Sequence, residues 1–114
     1  MATFTKVLLS GSTNGKAIKV TATATTGNTI HTVTAGTVAL EEVWLYATNT
    51  STAQTLTLEW GGVTTNDTIQ VNVSRNAAPL CVAQGLLLQN GLEIKAFAPT
   101  AGTIKIFGYA HRIV

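Results

Sequence analysis

Charge is scarce in this chain. Of its 114 residues only 11% are Asp, Glu, Lys or Arg, seven basic and five acidic, for a net charge of +2; an average globular domain carries about a quarter. A positive charge this thin and scattered excludes an electrostatic nucleic-acid surface, which needs clustered Lys and Arg. Lys16, Lys19, Lys95 and Lys105 are read instead as solvated lysines that discourage strand edges from pairing. The single cysteine, Cys81, excludes an internal disulfide, and its setting in Leu80-Cys81-Val82-Ala83 casts it as a small buried hydrophobe. No run approaches the ~18 apolar residues that span a bilayer. The start, Met1-Ala2-Thr3-Phe4-Thr5-Lys6, lacks the charged-then-apolar order of a secretion signal. Neither membrane insertion nor signal-directed secretion is expected. A surface of Thr, Asn, Gln and Ser with so few charges implies that partners cover much of it.

What the chain does have is alternation. Gln54-Thr55-Leu56-Thr57-Leu58-Glu59-Trp60 swaps polar and apolar side chains at every step, the period of a strand with one wet and one dry face. Similar segments run over 4–10, 17–25, 29–33, 40–48, 55–60, 68–73, 80–83, 86–88, 92–98 and 103–113, punctuated by turn residues such as Gly11–Gly15, Gly27-Asn28, Ala35-Gly36, Asn90-Gly91 and Pro99–Gly102. Leu40–Thr48 is apolar on both faces, with Val43, Leu45 and Ala47 on one and Trp44 and Tyr46 on the other, as in a strand covered on both sides. Two hairpins are expected, 55–60 with 68–73 and 92–98 with 103–113. No stretch holds the 3.6 period of a helix. The fold expected is all-β: one β-sandwich, jelly-roll or Greek-key like, of about eight to ten short antiparallel strands. It forms a single domain over residues 1–114, with residues 1–6 a candidate arm.

Catalytic patterns are thin. Gly11-Ser12-Thr13-Asn14-Gly15-Lys16-Ala17 has three residues between its glycines where a phosphate-binding loop has four, Ala17 where that loop has a hydroxyl, and a strand where it has a helix; it reads as a turn. His31 and His111, the two histidines, read as surface residues near strand ends. With one Cys they do not make the three or four ligands of a zinc site, although two copies of His111 across a symmetry axis are conceivable. Glu41 and Glu42 point to opposite faces of one strand. Glu59 and Asp67 flank the Gly61–Asn66 loop and read as solvent-end charges rather than a glycosidase pair. No Gly-x-Ser-x-Gly elbow is present. Neither catalytic residues, a cofactor nor a metal is therefore assigned, and no enzyme activity is expected. Trp44, Tyr46 and Trp60 suit a core or subunit contact better than a sugar platform. Asn49-Thr50-Ser51, Asn66-Asp67-Thr68 and Asn72-Val73-Ser74 have the form of glycosylation acceptors but lack a secretion signal to give them meaning.

Several segments, in order along nearly the whole chain, resemble small virion proteins of tailed bacteriophages. They are Lys6-Val7-Leu8-Leu9-Ser10-Gly11-Ser12-Thr13-Asn14-Gly15-Lys16, Ile30-His31-Thr32, Glu42-Val43-Trp44-Leu45-Tyr46-Ala47-Thr48-Asn49, Leu56-Thr57-Leu58-Glu59-Trp60-Gly61-Gly62, Gly85-Leu86-Leu87-Leu88 and Ile106-Phe107-Gly108-Tyr109-Ala110-His111-Arg112-Ile113. Capsid decoration (cement) proteins are of this kind. The resemblance implies a β-sandwich that assembles as a homotrimer on the outside of the head and clamps the major capsid protein, made in the host cytoplasm, with no direct nucleic-acid or membrane binding. Thr3, Phe4, Thr5 and Lys6 are the candidate coat contact, as an arm that orders on a partner; Phe4 beginning the first core strand is the other reading. Trp44 and Tyr46, with Phe107 and Tyr109 as a second surface, are the candidate oligomer contact. The alternatives are a tail-tip or fibre-associated glycan-binding module, centred on Trp60 and the Gly61–Asp67 loop, and a neck ring protein.

Overall fold

A computed structural model describes residues 2–114. It has nine β-strands: β1 Phe4–Leu8, β2 Ile18–Val20, β3 Asn28–Thr32, β4 Leu40–Asn49, β5 Gln54–Trp60, β6 Thr68–Val73, β7 Leu80–Leu88, β8 Glu93–Phe97 and β9 Ile104–Ile113. Among the described residues the one helical element is a single 3-10 turn, Thr65–Asp67. Every strand pairing is antiparallel. One sheet, sheet A, has the order β1-β9-β4-β7, with β2 also pairing β9; the other, sheet B, runs β3-β8-β5-β6. The pairing is nested: β1 and β2 with β9, β3 with β8, β4 with β7, and β5 with β6.

The core explains why the strands sit where they do. In β4 the odd positions from Glu41 to Asn49 are buried and the even positions half-buried, a strict period of two. Val43, Leu45 and Ala47 of β4 and Ile104, Ile106 and Ala110 of β9 form one core cluster with Leu56 and Leu58 of β5, Ile94 and Ala96 of β8 and Ile30 of β3. Both sheets thus contribute their inner faces to one sandwich-like interior. Close approach of β9 to β4 requires Gly108, since a Cβ there would overlap the carbonyl oxygen of Trp44.

Several details depart from the sequence reading. The 92–98 and 103–113 runs are not a hairpin: β8 joins sheet B and β9 joins sheet A, so the Pro99–Gly102 turn is a corner between sheets. The 17–25 strand stops at Val20. The chain then leaves sheet A: Ala98 N–H donates to Ala22 O at 3.1 Å, and Gly27 approaches Ala96 too closely for a side chain. This segment meets the outer face of β5 at Glu59. Thr57 and Glu59 are buried, and the Glu59 carboxylate accepts hydrogen bonds from Thr25 Oγ1 and, at 2.7 Å, from Gly27 N–H. In β3 the register shifts between Thr29 and His31, a bulge that turns both Ile30 and His31 inward. Last, β7 runs unbroken through Gly85, which occupies a positive φ of 68° beside a register shift, and Cys81 is exposed because it lies opposite Tyr46 on the outer side.

Candidate interaction face

Strand register alone builds the outer face of sheet A. Phe4 lies beside Ile113 and Ile113 beside Leu40, giving the first row. The second row is Lys6, His111, Glu42 and Leu87; the third is Leu8, Tyr109, Trp44 and Gln84; the fourth is Phe107, Tyr46 and Cys81. All four candidate oligomer residues, Trp44, Tyr46, Phe107 and Tyr109, therefore share one face, and Phe4 and Lys6 of the candidate coat contact share it too. Phe4 is 66% exposed, Leu8 57%, Leu87 56% and Phe107 39%. Scattered exposed apolar residues are ordinary, but a contiguous patch marks an interaction site.

Of the candidate arm, residues 3–6 do not project; Met1 lies outside the described residues. Thr3 N–H donates to Val114 O at 2.8 Å and Val114 N–H returns a bond to Thr3 O at 3.0 Å. Phe4, Thr5 and Lys6 follow as an edge strand on β9. Phe4 begins the first strand yet stays out of the core.

Aromatic and polar groups interlock at the centre of this face. The rings of Trp44 and Tyr109 stack with centroids 6.3 Å apart and planes 14° apart, and His111 meets Tyr109 edge-on at 5.4 Å. The Lys6 ammonium lies 4.9 Å from the Tyr109 centroid, within cation–π range. Oε1 of Glu42 accepts from Trp44 Nε1 at 2.9 Å and from His111 Nδ1 at 3.4 Å. The Trp44 bond, then the His111 bond, hold the Glu42 carboxyl below its ordinary value against a smaller opposing effect of burial. Burial chiefly, with Cys81 and Tyr109 nearby, raises the Tyr46 phenol. These side chains are fixed in place before anything docks, which lowers the ordering cost of association.

Glu41, one residue from Glu42, faces the interior, as adjacent positions on a strand must. His31 was expected at the surface, but the β3 bulge buries it against Glu41. Its Nε2 lies 2.6 Å from Glu41 Oε1, and its Nδ1 accepts from Ser10 N–H at 2.9 Å, so the proton sits on Nε2. Oε2 of Glu41 accepts from Thr34 N–H and Thr34 Oγ1, each at 2.7 Å, with Arg112 Nε at 3.5 Å. Burial pushes the Glu41 carboxyl up, but the bonds from His31 and Thr34 outweigh it and the net shift is downward. The network ties β3 of sheet B to β4 and β9 of sheet A. With both ring nitrogens engaged, His31 has no position left from which to activate a nucleophile.

The remaining chemical candidates are dispersed. Glu59 lines a cavity of about 160 Å³ with Gly61, Gly91, Glu93 and Lys95. Asp67 lines a different one of about 280 Å³ with Trp60, Asn66, Thr68 and Ile69, and its Oδ2 accepts from Thr64 Oγ1 at 2.8 Å. The two carboxylates thus serve separate places. Trp60 is half-buried against the core, and its indole N–H reaches Leu87 O at 3.3 Å. Among the described residues no group of three or more His, Cys, Asp or Glu side chains is placed to hold a metal ion, and no helix is long and apolar enough to cross a membrane. Sequence reasoning missed that the two surfaces are one and that Lys6, His111 and Glu42 form a charged row across it. The parity of β9, with Phe107, Tyr109 and His111 on one side, carried half of that signal. No family model, curated protein or solved structure matches the chain.

Proposed function

We propose that this protein is a capsid decoration protein of a tailed bacteriophage. In this reading it assembles as a trimer on the outer head shell and clamps neighbouring copies of the major capsid protein. The observation that carries it is the outer face of sheet A, where aromatic and aliphatic side chains lie outside the core in a fixed arrangement. Such a face is poorly suited to a lone chain in water and well suited to meeting another copy. The nested strand pairing supports the jelly-roll form of the sandwich, a frequent building block of shells. A stiff sandwich held at several points gains from multivalency, since each contact raises the effective concentration of the next. Neutral polar contacts lose little to salt. Quantifying the protein in purified particles tests the proposal: a decoration protein is present in hundreds of copies, whereas a tail-tip or neck protein is present in a handful.

One observation favours a second reading, a glycan-binding module at the tail. The cavity of about 280 Å³ beside Trp60, Asn66 and Asp67 joins an aromatic side chain to neutral and acidic acceptors, the pattern of a sugar site. Glycan-array binding that disappears in Trp60→Ala, together with low copy number, would select it over decoration.

A further inference from the structure

Resting on the reading that copies of this chain associate through sheet A, we infer how they meet: the β1 side of one copy packs on the β4 side of the next, with Lys6 against Glu42. Lys6 on β1 and Glu42 on β4 flank His111 on β9, about 10 Å apart across two strand spacings. Next to this row the face is apolar, with Phe4, Ile113 and Leu40 on one side and Leu8, Tyr109, Trp44, Phe107 and Tyr46 on the other; it turns polar again only at the far row of Lys19, Lys105 and Thr48. Among the described residues Lys6 makes no ion pair. The Trp44 and His111 bonds to the Glu42 carboxylate both fall on Oε1, leaving Oε2 open.

A purely apolar cover over this face would strand both charges away from water, at a cost that burial of the aromatics does not offset. The occupant must bring an anion to Lys6 and a cation to Glu42, in a row of the same spacing, with apolar groups on either side. A second copy of the chain has that pattern. Four strands about 4.8 Å apart and up to ten residues long at about 3.3 Å per residue give a footprint on the order of 600 Å². A ring divides that footprint between two neighbours, roughly 300 Å² to each, so the closed ring relies on its three contacts together.

Symmetry narrows the geometry. A ring of three needs two different patches on each copy that fit one another. The row supplies them, positive at one end and negative at the other. If the threefold axis runs along the strands, rows stay level between copies. Lys6 then meets Glu42 of the next copy, Leu8 meets its Trp44, and Phe4 meets its Leu40. A flip that reversed the row order about Glu42 would set like charges together.

Charge reversal tests this on the full-length protein by sedimentation equilibrium. Lys6→Glu sits on an exposed edge strand and leaves the core untouched; it is expected to weaken association by roughly 100-fold or more, as is Glu42→Lys. The double variant Lys6→Glu/Glu42→Lys restores the opposite pairing and regains the wild-type mass. Mixing the two single variants in equal amounts restores no trimer, because a ring of three cannot alternate two charge patterns. The inference is overturned if wild type associates but the single variants keep its mass. It is also overturned if the double variant stays dissociated with its strand-type circular dichroism intact, or if the mixture forms a one-to-one pair. A wild-type protein that is a single chain at tens of micromolar removes the association reading itself, and this inference with it.

Discussion

Replacing Glu41 by Ala strikes one of two buried carboxylates among the described residues, the other being Glu59. The Glu41 side chain accepts from His31 Nε2, Thr34 N–H and Thr34 Oγ1. His31 is 2% exposed, so its ring N–H loses its acceptor where water does not reach, at about 1–3 kcal/mol. Thr34 is half-buried and finds water, so its two lost bonds add about 1 kcal/mol in all. The expected loss is thus about 2–4 kcal/mol, a large share of the 5–15 kcal/mol that typically holds a domain of this size. Glu41→Gln does not escape it. The amide offers one acceptor oxygen where the network presents donors to two, and its NH₂ faces a donor. Urea unfolding at pH 7 and fixed protein concentration reads the effect. With a slope of about 2 kcal/mol per molar, the middle of the usual range, both variants lose about 1–2 M in midpoint. A fall of less than about 0.3 M in both would refute the reasoning, because it would mean that the His31 donor is satisfied elsewhere.

The same network sets an acid limit. A carboxyl held below its unfolded value contributes stability that is fully present above that value and is lost as pH falls through the folded one. The urea midpoint should therefore hold level at neutral pH and begin to fall near 4.5, the ordinary carboxyl value. Glu41→Gln should flatten that acid limb, and an unchanged limb would remove Glu41 as its cause. Gly108→Ala places a methyl group against the Trp44 carbonyl between the two central strands of sheet A. Because a backbone cannot swing aside, a loss of about 3 kcal/mol or outright failure to fold is expected; an unchanged melting temperature would contradict the strand spacing. Trp44→Ala, by contrast, removes a side chain outside the core. It should lower the oligomeric mass while leaving the circular dichroism spectrum unchanged.

How much of this was legible beforehand depends on the range of the interaction. The alternation of β4 and the β5–β6 hairpin were readable because a strand's period and a tight turn are local properties. The second hairpin was misread because two alternating runs around Pro99–Gly102 look alike whether they pair or turn a corner into opposite sheets; pairing with β4 or with β5 decides it. Thr57 and Glu59 look wet in sequence but are buried, and the groups that bind Glu59, on Thr25 and Gly27, lie more than thirty residues away. His31 escaped because one bulge residue breaks the period of two and turns the ring inward. Of the interaction face, the outward parity of Trp44, Tyr46, Phe107 and Tyr109 was visible strand by strand. Their meeting with Phe4 and Lys6 required the β1-β9-β4 order, which is long-range.

The mass of the wild-type protein in solution at tens of micromolar, measured by light scattering after size exclusion, tests the central claim most directly. A face built from fixed aromatic side chains and a charged row in want of its opposite predicts three times the 11.9 kDa of one chain. A particle of one chain's mass, with Phe4, Leu8 and Phe107 facing water, would contradict it.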